Sequence, residues 1–355
     1  MECSVSLRRR EKRGVIFIGR GLAGYAHAAQ FEAFCERGLH EGLAVIQGNS
    51  SGGGTSTQLS EAQSVEELPA RARLVTAGWR KIESEGPDAV FGLSDLRKKF
   101  EGLHLAELKD MIESPRSAIL HPRATYARLK EALHAFKEIK ALLYSDGLLE
   151  TERLRRIVAD YRPELGLTSP IHFETTVSNR DNDKVELLSV KNFRSNPAHF
   201  IDAIVASMSL RPFFPGVKLA VEDEKGKKHE GVYVDARCME EKSPALAECS
   251  EIFVFLTHPE GYLPPRKTEE LKERYGIPPI LGDFIHEGSI RAMQLDAQKL
   301  STLQVLCRER GARAIPIYTP VPRSVSALWF EKGDITRGLE IAEIAARKQF
   351  EEYGF

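Results

Sequence analysis

The feature that most constrains this chain is the join between Val15-Ile16-Phe17-Ile18 and Gly19-Arg20-Gly21-Leu22-Ala23-Gly24. An apolar run without alternation suits a strand buried on both faces, as in a parallel sheet covered by helices. The glycines then open a helix predicted over 25–37, with Ala28, Phe31 or Ala29, Phe34 and Cys35 at helical spacing and Gly38 as its stop. Leu43-Ala44-Val45-Ile46 is the next apolar run, and it passes into Gln47-Gly48-Asn49-Ser50-Ser51-Gly52-Gly53-Gly54. Residues 14–54 therefore read as a strand–helix–strand unit whose strands both end in glycine-rich turns. That unit commits the chain to an α/β fold.

The rest of the chain alternates in the same way. Helices are predicted over 66–82, 95–100, 124–144 and 338–353. Strands are predicted over 171–177, 185–190, 217–221, 231–234, 252–256 and 314–318. No Pro/Ser/Gly-rich linker and no internal repeat divides the sequence. The expected organisation is a basic arm over 1–13 and a single α/β domain over 14–355, with a helix-rich insertion at about 60–160. Leu103, Leu105, Leu108 and Met111 in that insertion have near-helical spacing. They are expected to pack as core or to form a cover facing a membrane.

Composition removes several function classes. Lys and Arg total 50 against 51 Asp and Glu, so the basic excess of a dedicated nucleic-acid binder is missing. No window approaches the roughly 18 apolar residues of a membrane span. The N-terminal cluster of Arg8, Arg9, Arg10, Lys12 and Arg13 has no apolar stretch or small-residue cleavage site beside it, unlike a secretory signal. It reads as a solvated arm, with contact to an anionic membrane as the alternative. Cys3, Cys35, Cys238, Cys249 and Cys307 lack metal-ligand spacing and are expected to be free thiols in a reducing, cytoplasmic setting. No metal site and no cofactor is expected.

Gly19–Gly24 spells G-x-G-x-x-G, whose obvious reading is a dinucleotide site with glycines against a pyrophosphate. That reading demands an acidic residue at the end of the second strand, about 20 residues on. Gln47 stands there, and Glu41 precedes the strand. Gly48-Asn49-Ser50-Ser51-Gly52 spells G-x-S-x-G after a strand. Small residues around the serine permit the tight strand-to-helix turn that lifts a nucleophilic hydroxyl above a sheet. Such a serine needs a base. His229, His258 and His286 have no distinguishing context, whereas Asp235 closes the apolar strand 231–234.

Taken in order, Gly19–Gly24, Gly48–Gly52 and Asp235-Ala236 resemble the patatin-like phospholipases. That family has a glycine-rich oxyanion loop, a G-x-S-x-G elbow and a later D-G-[GA] aspartate. The stretch GLAGYAHAAQFEAFCERGL resembles the family's first helix and AVIQGNSSGG its elbow. HFIDAIVASMSLRPFFPGV, with Ser207, Ser209, Pro212, Phe214 and Pro215, resembles the segment before the aspartate. The resemblance implies a three-layer α/β/α sandwich around a mostly parallel sheet, and a serine esterase with a Ser50–Asp235 dyad acting on lipid or phospholipid esters. It further implies an oxyanion hole drawn from Gly19, Arg20, Gly21, Leu22 and Gly24, and an elbow formed by Gly48, Asn49, Ser51 and Gly52. Arg20 replaces the loop's second glycine, Ala23 its basic residue, and Ala236-Arg237 the two residues after the aspartate. The alternatives are a patatin-fold protein that binds lipid or a partner with little catalysis, and a nucleotide-binding oxidoreductase.

Overall fold

Strand β1 (Arg13–Ile18) sends Val15 and Phe17 into one core and Ile16 and Ile18 into another. An apolar run with no polar face therefore belongs at the centre of a sheet covered on both sides. The computed structural model describes residues 12–92, 149–211, 213–223, 225–259, 273, 279–320 and 330–355.

After β1 come α1 (Tyr25–Glu36), β2 (Leu43–Asn49), α2 (Ser51–Ser60), α3 (Leu68–Glu85), α4 (Pro87–Phe91) and α5 (Glu152–Ile157). They are followed by β3 (His172–Asn179), β4 (Lys184–Leu188), α6 (Phe200–Met208), β5 (Val217–Glu222) and β6 (Lys228–Asp235). The chain closes with β7 (Glu251–Leu256), α7 (Pro279–Glu309), β8 (Arg313–Tyr318) and α8 (Asp334–Glu352). One mixed sheet runs β5-β6-β3-β2-β1-β7-β8, with β4 also paired to β3. Its centre, β3-β2-β1-β7-β8, is parallel throughout. Strands β4, β5 and β6 pair antiparallel at one side.

Most of the described helices cover one face. Tyr25, Phe31 and Phe34 of α1, Leu59 of α2, Trp79 of α3, Ile204 of α6 and Phe350 of α8 share a core with Phe17, Phe253 and Phe255 of the sheet. On the other face Leu300, Leu303 and Cys307 of α7 pack on Ile16, Ile18, Ile252 and Val254. The result is the three-layer α/β/α arrangement.

Each strand expected from the sequence is present, with ends that differ by up to three residues. The helix expected over 66–82 is α3, and the last helix starts earlier, at Asp334. Helices α6 and α7 were not anticipated. The buried stripe of α7 contains a carboxylate, Asp296, between Ala292 and Leu300, which breaks its apolar pattern. Cys35, Cys238, Cys249 and Cys307 are free and buried. Cys3, residues 1–11 of the basic arm, and residues 93–148 of the insertion lie outside the described residues, with the helices expected over 95–100 and 124–144. Among the described residues no group of side chains is arranged to hold a metal ion.

Candidate active site

The site is positioned by the edge of β3. Strand β2 runs parallel to it and ends with Asn49 opposite Thr176. Strand β6 arrives antiparallel and ends with Asp235 opposite Val177. Strand β4 overlaps both pairings and so occupies the other edge. Strands β2 and β6 therefore meet tip to tip on one edge, and Ser50, the residue after Asn49, meets Asp235.

Ser50 has φ 52° and ψ −127°, a left-handed backbone that a residue with a Cβ rarely adopts. The turn persists because everything around it is small. A Cβ on Gly52 would stand 2.3 Å from the Phe17 carbonyl oxygen, and one on Gly48 would stand 2.6 Å from the Gly53 Cα. The start of α2 can therefore lie directly against β1 and β2. The Ser50 amide donates to the Ser207 hydroxyl at 3.0 Å. Two residues on, at the end of α6, the Ser209 carbonyl accepts the Asp235 amide at 3.2 Å. One helix end thus holds both residues of the pair.

The Ser50 hydroxyl donates to the Asp235 carboxylate, which also accepts the Arg237 amide at 2.7 Å. Burial pushes the Asp235 carboxyl above the ordinary aspartate range. The Arg237 amide, the Ser50 hydroxyl and the charges of Arg20 and Arg237 oppose that rise. Arg237 itself has φ 60°. The position after Ala236 therefore does require a left-handed backbone, and an arginine adopts it.

A cavity of about 50 Å³ opens onto the pair. Gly19, Arg20 and Gly21 line it from the first loop, Leu210 and Arg211 from the end of α6, Arg237 from the turn after β6, and Gly288, Ser289 and Ala292 from α7. The Gly19 amide donates to the Asn49 carbonyl at 3.1 Å and the Gly24 amide to the Gly21 carbonyl at 3.1 Å. Among the described residues no loop or turn carbonyl takes the Gly21 amide. A Cβ on Gly19 would stand 2.5 Å from the Ser51 and Gly52 amide nitrogens, so the start of α2 sits against this loop.

Arg20 departs inward from the loop. Its guanidinium pairs with the fully buried Asp296 of α7 and donates to the Arg237 carbonyl at 3.4 Å. Burial brings it down to about 10. Asp296 also accepts the Met239 amide at 3.3 Å. Gln47 holds the same loop from the other side, donating to the Glu240 carbonyl at 3.1 Å and accepting the Glu240 amide at 3.3 Å. Its amide is committed to that loop, where a dinucleotide site would need a carboxylate.

Of the residues expected from the sequence, Ser50, Asp235, Gly19, Arg20 and Gly21 line one cavity. Gly48, Asn49, Ser51 and Gly52 form the turn around Ser50. Leu22 is buried in the core, and Gly24 precedes α1. The histidines do not join them. His27 and His258 are buried, and burial drives both imidazoles down to about 3. His229 is exposed on β6. Among the described residues no histidine lines the cavity. Sequence reading missed Arg211 and Asp296. The signal for Asp296 was an acidic residue at helical spacing within Ala292, Leu300, Leu303 and Cys307.

No family description and no curated protein sequence matches the chain. Among solved structures it is similar to VipD from Legionella pneumophila, with a TM-score of 0.40, 12% identity, and coverage of 97% of this chain and 67% of that one. It is also similar to the type III effector protein ExoU, with a TM-score of 0.34, 10% identity, and coverage of 96% of this chain and 53% of that one. ExoU in the heterodimeric ExoU–SpcU complex from the type III secretion system of Pseudomonas aeruginosa matches with a TM-score of 0.34, at 12% identity over 97% of this chain and 52% of that one. The chain spans about half the length of the ExoU chains. At these TM-scores the likeness carries no functional assignment.

Proposed function

We propose that this chain is a patatin-like lipid acyl hydrolase that cleaves phospholipid or related acyl esters through Ser50 and Asp235. The observation that carries the reading is a serine in a strained strand-to-helix turn, hydrogen-bonded to a buried carboxylate in a cavity that no described histidine lines. Strain of this kind is retained where the surrounding structure fixes a functional group.

Asp235 takes the Ser50 proton as the hydroxyl oxygen attacks the ester carbonyl. Burial makes the carboxylate a better base than an exposed aspartate, while the nearby arginine charges favour its ionised form. The negative charge on the former carbonyl oxygen develops against the first loop, where Arg20, Gly21 and Leu22 supply amides, with Ser51 at the start of α2. Of these residues Arg20 and Gly21 line the cavity, and among the described residues neither amide donates to a loop or turn carbonyl. One such donor is worth about 10²–10³ in rate. The tetrahedral intermediate collapses, the proton passes from Asp235 to the leaving alcohol, and the acyl group remains on Ser50. Asp235 then takes a proton from water as it attacks the acyl carbonyl and returns that proton to the Ser50 oxygen, which leaves as the acid is released. A lipid substrate of this class implies peripheral contact with a lipid surface. Among the described residues no helix is long and apolar enough to cross a membrane.

A fluorophosphonate probe with peptide mapping tests the proposal. The expected adduct is on Ser50, absent from Ser50→Ala and much slowed in Asp235→Asn. A folded wild-type protein that takes no label, or takes it elsewhere, overturns the nucleophile and leaves a lipid- or partner-binding role.

A further inference from the structure

The guanidinium groups around Ser50 are not equivalent. Arg20 enters the cavity already paired with Asp296. Arg211 and Arg237 line the same cavity, and among the described residues neither forms a salt bridge. Arg180 stands near enough that its charge, with that of Arg237, adds to burial in holding the Arg211 guanidinium below its ordinary value. Asp183 opposes them. The Arg237 guanidinium donates to the Arg211 carbonyl at 3.2 Å, so the two residues are fixed relative to each other. Arg237 also occupies a left-handed backbone conformation that glycine would adopt without strain. A strained backbone here carries a cation to the edge of the nucleophile's cavity.

The charges of Asp235 and Asp183 reach these arginines without forming a salt bridge to either, so both guanidinium forks stay free for an external anion, and their geometry matches phosphate oxygens. Resting on the acyl-hydrolase reading, we propose that Arg211 and Arg237 form an anion subsite that selects acyl esters carrying a phosphate group close to the scissile carbonyl. The carbonyl lies at Ser50 and the phosphate between the two forks, with Arg180 adding long-range attraction. An acylglycerol of the same chain length lacks that anchor and binds more weakly.

The test uses the full chain and two dispersed substrates with identical acyl groups, dihexanoyl phosphatidic acid and dihexanoylglycerol, together with calorimetric titration of inorganic phosphate. Wild type is expected to prefer the phosphate-bearing ester at least tenfold in kcat/KM. Arg211→Gln and Arg237→Gly should each remove most of that preference, chiefly through KM, and Arg211→Lys should restore part of it. Glycine at 237 suits the backbone and keeps the amide on Asp235. Inorganic phosphate should bind wild type and bind Arg211→Gln at least tenfold more weakly. If the variants slow both substrates equally, or wild type binds no phosphate, the subsite is overturned. Phosphate binding that depends on Arg211 in a protein that hydrolyses neither ester supports the subsite and overturns the hydrolase reading instead.

Discussion

Asn49 and Asp235 occupy consecutive positions on one edge of β3, opposite Thr176 and Val177. The separation of Ser50 from its carboxylate is therefore set by sheet register rather than by loop conformation. Register is hard to change, because a slip of one residue turns every side chain of a strand to the opposite face. Two chain segments far apart in sequence are held in contact by a third strand that carries no reacting group.

Replacing Ser50 separates chemistry from strain. Ser50→Ala should abolish hydrolysis of short p-nitrophenyl esters while leaving the fold intact. Ser50→Gly should be equally inactive but more stable than Ser50→Ala, by about 1–2 kcal/mol, because glycine accepts the backbone at φ 52° without strain. Activity assays and thermal denaturation of both variants provide the check. Alanine at wild-type turnover removes the nucleophile assignment.

Asp235→Asn should lower activity by at least about 10², since asparagine keeps the shape but cannot take a proton. Its effect on stability should have the opposite sign. The folded protein holds the Asp235 proton more tightly than the unfolded chain does, because burial raises this group. Stability from that bound proton is complete below the ordinary aspartate range and is lost as pH rises through the higher folded value. At neutral pH the asparagine variant should therefore melt above wild type, and the difference should shrink in acid. A variant that melts lower at neutral pH would show that ionised Asp235 is needed to hold the turn.

The centre of the sheet was legible in the sequence because β1 and β7 are buried on both faces and so read as unbroken apolar runs. The elbow was legible because the close approach of Gly52 to Phe17 leaves no alternative to glycine. Asp235 stood out as the polar end of an apolar strand. Helix α7 was not legible, since the carboxylate of Asp296 interrupts the stripe by which a buried helix is recognised. Nothing local marks Arg211 as facing a site, because its position depends on where α6 ends against β6. The arginine in the first loop looked like a departure from a glycine pattern. Its partner lies on α7, far along the chain.

The acid limb of kcat/KM should report Asp235 alone. Activity requires the ionised carboxylate, so it should rise with pH through a midpoint above the ordinary aspartate range. His27 and His258, brought down to about 3 by burial, stay neutral across that range. The limb should persist in His258→Ala and disappear in Asp235→Asn. A limb near 6.5 that is lost with one histidine would replace the dyad with a triad.

Gly52→Ala tests the packing beneath the elbow. The added methyl would stand 2.3 Å from a backbone oxygen of β1, which no side-chain rotation can relieve. A loss of roughly 1–3 kcal/mol is expected, with activity falling further than stability as the turn is displaced. Gly78→Ala on α3, where an added Cβ has open space, serves as the comparison and should be neutral or stabilising. Equal melting temperatures for Gly52→Ala and wild type would mean that the turn is not under this constraint.

The pairing of Arg20 with Asp296 makes the sharpest prediction about how the first loop is held. Both groups are buried, and α7 contributes the carboxylate from the opposite side of the sheet to the nucleophile helix. Removing one partner leaves the other charged, buried and unpaired, which costs about 3–5 kcal/mol. Asp296→Asn keeps the size and an acceptor for the Met239 amide but loses the charge. It should destabilise strongly and lower activity, because Arg20 lies in the loop beside Ser50. Arg20→Met combined with Asp296→Leu removes both charges at similar volume and should recover most of the stability, since a buried ion pair is rarely worth more than the apolar contact that replaces it. Activity should recover with it if Arg20 serves only to anchor the loop. Chemical denaturation and ester turnover on the two single variants and the double variant resolve the matter. A double variant as unstable as the worse single variant would mean that the two residues do not act as a pair.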